Sequence, residues 1–120
     1  MKANAYIFVT FQREGFHCYP DAPEEVAFLR QMHRHMFHVR VQLSVSHNER
    51  EVEFFMLRNR LVDAMPSGSF DSKSCETICH DIYKSMAAFD ILPDLEQRHV
   101  IITVSEDGEC GAVVEFGEIK

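Results

Sequence analysis

Apolar and polar positions alternate along residues 33–45 more cleanly than anywhere else in the chain. Positions 33, 35, 37, 39, 41, 43 and 45 read His, His, Phe, Val, Val, Leu, Val. The positions between them read Arg, Met, His, Arg, Gln and Ser. A period of two places alternate side chains on one face of a strand, so the pattern predicts a long half-buried strand over 33–46. A shorter alternating stretch over 5–11 predicts a first strand. The loop expected after it carries Gly15, Pro20 and Pro23 as breakers, and 24–32 then allow a short helical turn. Asn48 with Glu51 three residues on forms a capping signature ahead of a helix over 52–65, which Pro66-Ser67-Gly68 ends. Ser74 is placed to cap a second helix, in which 75, 78, 79, 82, 86 and 89 are Cys, Ile, Cys, Ile, Met and Phe. Strands over 100–105 and 112–116, joined by Asp107-Gly108, complete a β-β-α-α-β-β order. That order predicts one α+β domain over 1–120, with a four-stranded antiparallel sheet and two helices on one face. Four strands leave two sheet edges to be satisfied, which points to a homo-oligomer.

Composition narrows the classes of function. A chain of 120 residues with 46% apolar content has material for an ordinary core. Its net charge of −7, with Lys and Arg scattered, argues against a nucleic-acid partner. The apolar runs are too short to span a bilayer, and the first residues lack a basic-then-apolar leader pattern, so a soluble cytoplasmic protein is expected. Of the four cysteines, Cys75 and Cys79 fall on the apolar stripe of the second helix and read as small core residues. Cys110 lies in a turn between glycines. No C-x-x-C pair is present, and reduced thiols are the default.

Candidate chemistry begins with His33 and His35, two imidazoles on one face at the end of a buried stripe. They read either as metal ligands, with His17 in the loop after strand one as a third, or as hydrogen-bonded structural histidines. His38 falls on the opposite face, and His47, His80 and His99 read as surface or loop residues. Glu106 has the parity of Val100, Ile102 and Val104, so its carboxylate either faces a pocket or ends the strand in solvent. In a pocket it would suit a ring with adjacent N–H and amino donors. Asp71, Ser72 and Ser74 before the second helix read as caps or as short polar groups lining that pocket. Arg13, Arg30, Arg34 and Arg40 are possible phosphate partners, none singled out.

The run His33-Arg34-His35-Met36-Phe37-His38-Val39 resembles the H-G-H-N-Y-x-V segment of the 6-pyruvoyl-tetrahydropterin synthase and 6-carboxytetrahydropterin synthase family. Val52-Glu53-Phe54 with Leu57-Arg58 resembles the family's V-x-D-F-x-x-L-K. Phe70-Asp71-Ser72 stands where it has Leu-Asp-His, Ser74-Cys75-Glu76 resembles T-S-E, and Val104-Ser105-Glu106 resembles V-x-E-T. The resemblance implies a tunnelling fold (T-fold) barrel of several subunits with sites at their boundaries. It implies zinc on His33, His35 and His17, although the F-x-A-x-H spacing of the family's first ligand is not kept. It implies that Glu106 anchors the edge of a pterin, purine or nucleotide-like ring. The family's catalytic cysteine precedes its H-G-H, whereas 24–32 contain none, and Ser72 replaces its histidine. Asp71 is retained, and Cys18 is the candidate for a thiol from another loop. A divergent member of this kind is expected either to perform zinc-assisted lyase chemistry on a reduced pterin or a related heterocycle, or to bind such a ligand without turnover.

Overall fold

The two long alternating segments pair with each other along their whole length. In the computed structural model, which describes residues 4–117, β1 (Ala5–His17) and β2 (His33–Val45) run antiparallel from Ala5 opposite Val45 to His17 opposite His33. Strand β1 is thus six residues longer than 5–11. Its tail, Gln12-Arg13-Glu14-Gly15, has no apolar alternation, yet β2 offers it a complete ladder of backbone partners. His17, expected in a loop, is the last residue of that strand.

Helix α1 (Phe54–Ala64), β3 (Gly68–Ser69), α2 (Cys75–Met86), β4 (Val100–Glu106) and β5 (Cys110–Phe116) follow. The sheet order is β3-β1-β2-β4-β5. Four strands are antiparallel, as expected. The fifth, β3, is a two-residue parallel addition beside Gly15 and Phe16, too short to leave a period in the sequence. Gly15 is required here for space: a Cβ would stand 2.1 Å from Phe70 Cε2.

Residues 37, 39, 41 and 43 of β2 and 100, 102 and 104 of β4 are fully buried beneath the helices. Helix α1 packs on β1, and α2 on β4 and β5. Leu57, Leu61, Ile78, Cys79, Ile82 and Met86 complete the core, each large side chain contributing about 1.5–3 kcal/mol of transfer free energy. The Ser74 hydroxyl accepts the Thr77 amide and caps α2 as expected. Helix α1 is capped differently. Glu53 takes the Met56 amide at 2.7 Å, while Glu51 ties the preceding loop to Ser46 and Arg98. His99 is not a surface residue. It is buried, held by the Tyr6 hydroxyl at 2.8 Å and lying 3.3 Å from Glu115. Among the described residues no helix is long and apolar enough to cross a membrane.

Candidate metal centre

The strand register brings four donor residues together at one end of the sheet. His17 stands opposite His33 across β1 and β2, His35 is two residues further along the same face, and Glu106 ends β4 opposite Phe37. Directly opposed residues in an antiparallel pair share a face, so all four side chains project to the helix-covered side. Ring centroids of the three imidazoles lie 4.5, 4.8 and 5.2 Å apart in edge-on arrangement. One donor atom from each of the four residues lies within 4.8 Å of all the others. The Phe37 ring, edge-on to His17 and His35 and backed by Phe70, makes an apolar floor.

Each imidazole is held through its outer nitrogen. His17 Nδ1 donates to the Lys73 carbonyl at 3.0 Å, His33 Nδ1 to the Gln31 carbonyl at 2.9 Å, and His35 Nδ1 to Asp107 Oδ2 at 2.7 Å. A carbonyl or carboxylate oxygen only accepts, so the proton of each neutral ring sits on Nδ1 and Nε2 carries a lone pair. The three Nε2 atoms are buried, and among the described residues none has a hydrogen-bond partner. Bare buried acceptors are costly, and ligation by a cation removes the cost. Imidazoles oriented through Nδ1 by carbonyls and a carboxylate are what a divalent ion such as zinc requires of its surroundings, so the residues fit the metal. Asp107 also accepts the Met36 amide at 2.9 Å. That bond, followed by the one from His35, holds its carboxyl below the usual range.

A cavity of about 490 Å³ opens beside the centre, within the range of small-molecule sites. His17, His33 and Glu106 form part of its wall, as do Cys18, Ser72 and Ser74. Glu106 is not turned out into solvent. Its Oε1 lies 2.9 Å from His17 Nε2 and 3.7 Å from His35 Nε2, with the side chain 29% exposed. Asp71 lies outside the wall. It is exposed, with left-handed backbone, and its carboxylate accepts the Ser69 hydroxyl. Its carbonyl accepts the Cys18 amide at 2.9 Å, so the two residues are neighbours through the backbone alone.

The arginines are already engaged. Arg13 donates to the carbonyls of Val62 and Met65, Arg30 and Arg34 pair with Glu24 and Glu14, and Arg40 lies over the Phe8 ring. Burial pushes the Cys75 thiol up to about 12 and Cys79 to about 11, which suits core residues rather than nucleophiles. Sequence reasoning missed the carbonyls of Lys73 and Gln31, the Asp107 carboxylate, and exposed Cys110 on the cavity wall. Only Asp107, next to Glu106, carried a legible signal.

No protein-family profile and no curated protein matches the chain. Solved structures do, and two of them are 6-pyruvoyl tetrahydropterin synthases. The crystal structure of 6-pyruvoyl tetrahydropterin synthase from Plasmodium vivax superposes with a TM-score of 0.67 at 15% identity, over 98% of this chain and 100% of that one. The Caenorhabditis elegans 6-pyruvoyl tetrahydropterin synthase gives 0.67 at 8% identity, over 98% and 97%. The chain has the T-fold of the 6-pyruvoyl tetrahydropterin synthase structures, carried by a widely diverged sequence.

Proposed function

We propose that this chain is a zinc-binding, pterin-synthase-like protein that acts on a reduced pterin or a related nucleotide-derived heterocycle by metal-assisted lyase-type chemistry. The observation that carries the proposal is the set of three inward Nε2 lone pairs, each fixed by an obligate acceptor at Nδ1. The T-fold shared with two pterin synthase structures supports the same reading. A zinc held by His17, His33 and His35 supplies a Lewis acid to a substrate carbonyl or hydroxyl. The Glu106 carboxylate takes the N–H and amino donors of the ring, which orients it beside the imidazoles. Ser72 and Ser74 line the space left for the rest of the ligand. Cys18, on the cavity wall, assists proton movement, and Asp71, the other candidate, meets it only through a backbone carbonyl. The protein works in the cytoplasm as a single T-fold domain. It assembles as a homo-oligomer whose sites lie at subunit boundaries, with neither nucleic acid nor membrane as partner.

One observation favours a second reading. No thiol precedes His33 in 24–32, and Ser72 follows Asp71 where a synthase of this type has histidine. A chain that keeps ring anchor and metal but lacks those groups would hold a pterin, a purine nucleotide or a nucleotide signal without converting it. Incubating the zinc-loaded protein with dihydroneopterin triphosphate, followed by mass spectrometry, separates the two. New products support the enzyme. An unaltered ligand that co-purifies with the wild type, and is lost in Glu106→Ala, supports the binder. Neither binding nor turnover, for pterins and purine nucleotides alike, would sink both.

A further inference from the structure

The carboxylate assigned above to the ring sits too close to the imidazoles for that to be its only partner. His17 Nε2 and Glu106 Oε1 are 2.9 Å apart, yet they lack the alignment of a hydrogen bond. With Nδ1 on the Lys73 carbonyl, His17 turns Nε2 toward a carboxylate oxygen, and His35, held at Nδ1 by Asp107, does the same at 3.7 Å. A carboxylate oxygen this close to two inward ring nitrogens calls for a positive charge among them, from a shared cation or a ring proton, and the four donors within 4.8 Å of one another suit the cation. Among the described residues no lysine or arginine answers Glu106. Lys73 lines the cavity, but its ammonium is bound to Asp81 at 2.7 Å. Donors placed tetrahedrally at the usual zinc distances of about 2.0–2.1 Å are separated by about 3.3 Å. The two carboxylate–imidazole separations fall on either side of that value.

We propose that Glu106 Oε1 is the fourth ligand of the metal in the ligand-free protein, so that the centre rests closed as three histidines and one carboxylate. The inference rests on the metal reading above and adds a regulatory consequence to it. A carboxylate that ligates through Oε1 cannot also accept a bidentate pair of ring donors with both oxygens. Ring docking and closure of the centre therefore compete for one side chain. An empty pocket keeps its metal shielded, and a heterocycle with the right donor edge opens it.

Cobalt(II) loaded in place of zinc reports coordination through its visible spectrum, with azide as a probe for an open position. The wild type is expected to show intense four-coordinate bands that azide does not alter. Glu106→Gln and Glu106→Ala are expected to bind cobalt at least about 10-fold more weakly, since even partners behind the ligands are worth that much. Their spectra should shift with azide. The metal-free variants should unfold at the wild-type midpoint, because the replaced side chain is partly exposed. Unchanged affinity and spectrum in both variants, or a wild-type spectrum that responds to azide, would overturn Glu106 as a ligand. In either case the three-histidine centre survives if His35→Ala still abolishes binding. A wild type that takes up neither cobalt nor zinc removes both readings together.

Discussion

Replacing Asp107 with asparagine isolates what holds His35 in its ligating form. Asp107 Oδ1 accepts the Met36 amide at 2.9 Å, and Oδ2 accepts His35 Nδ1–H at 2.7 Å. Asparagine keeps one acceptor oxygen and gains an NH₂ that only donates. The Met36 amide is fixed in the strand and claims the oxygen, which leaves the NH₂ facing His35. Nδ1 must then accept, and the ring proton moves to Nε2, the atom that should ligate. Position 107 has φ of 57°, a left-handed conformation that asparagine tolerates, so the backbone cost is small. Loss of an orienting partner of this kind lowers metal affinity about 10–100-fold. Competition for zinc against a chromophoric chelator measures the change, and nitrogen NMR of the imidazoles reads the tautomer directly. Affinity within about two-fold of wild type, with His35 still protonated at Nδ1, would refute the reasoning.

The Glu51 carboxyl falls from 4.5 to about 2, first through the Ser46 hydroxyl and then through Arg98. A lowered folded-state value adds stability that is complete above the unfolded value and is lost as pH falls toward about 2. Screening by solvent, which reaches this carboxylate, leaves a contribution of about 1 kcal/mol at neutral pH. Urea unfolding should show Glu51→Gln weaker by up to that amount at neutral pH and level with wild type near pH 2; a gap that does not narrow on acidification would contradict the assignment. Gly15→Ala drives a methyl into the Phe70 ring behind Phe37, and overpacking should cost about 1–3 kcal/mol. An unchanged melting temperature would show that Phe70 has room to move. A thiol reagent at mildly alkaline pH should label Cys18 and Cys110 in the native protein and leave Cys75 and Cys79 until it unfolds. Rapid native labelling of either helix cysteine would mean that the core opens easily.

The strongest periodic signals in the sequence locate β2, the Ser74 cap and the apolar stripe of α2 as far as Met86, while Phe89 lies beyond the end of the helix. They do so because burial on one face leaves a period that can be counted. The tail of β1 was not legible. Residues 12–15 look like a loop, and only backbone pairing with β2 makes them a strand. That extension decides the site, since it moves His17 from a loop to the register position opposite His33. Glu51 illustrates a different limit: its spacing from Asn48 mimics a capping box, yet Arg98, distant in sequence, takes its carboxylate. His99 reads as a surface or loop residue, and nothing local announces Tyr6 as its partner. The carbonyls that orient His17 and His33 belong to ordinary backbone and leave no mark on residue identity.

The most direct test of the account is the metal content of the chain. Purified protein equilibrated with zinc, passed through a desalting column and measured by elemental mass spectrometry should retain one zinc per chain. His17→Ala, His33→Ala and His35→Ala should each retain almost none while keeping the far-ultraviolet circular dichroism of the wild type. A wild-type chain that emerges free of metal, or single-histidine variants that hold as much as it does, would contradict the central claim and leave the T-fold as a likeness of shape.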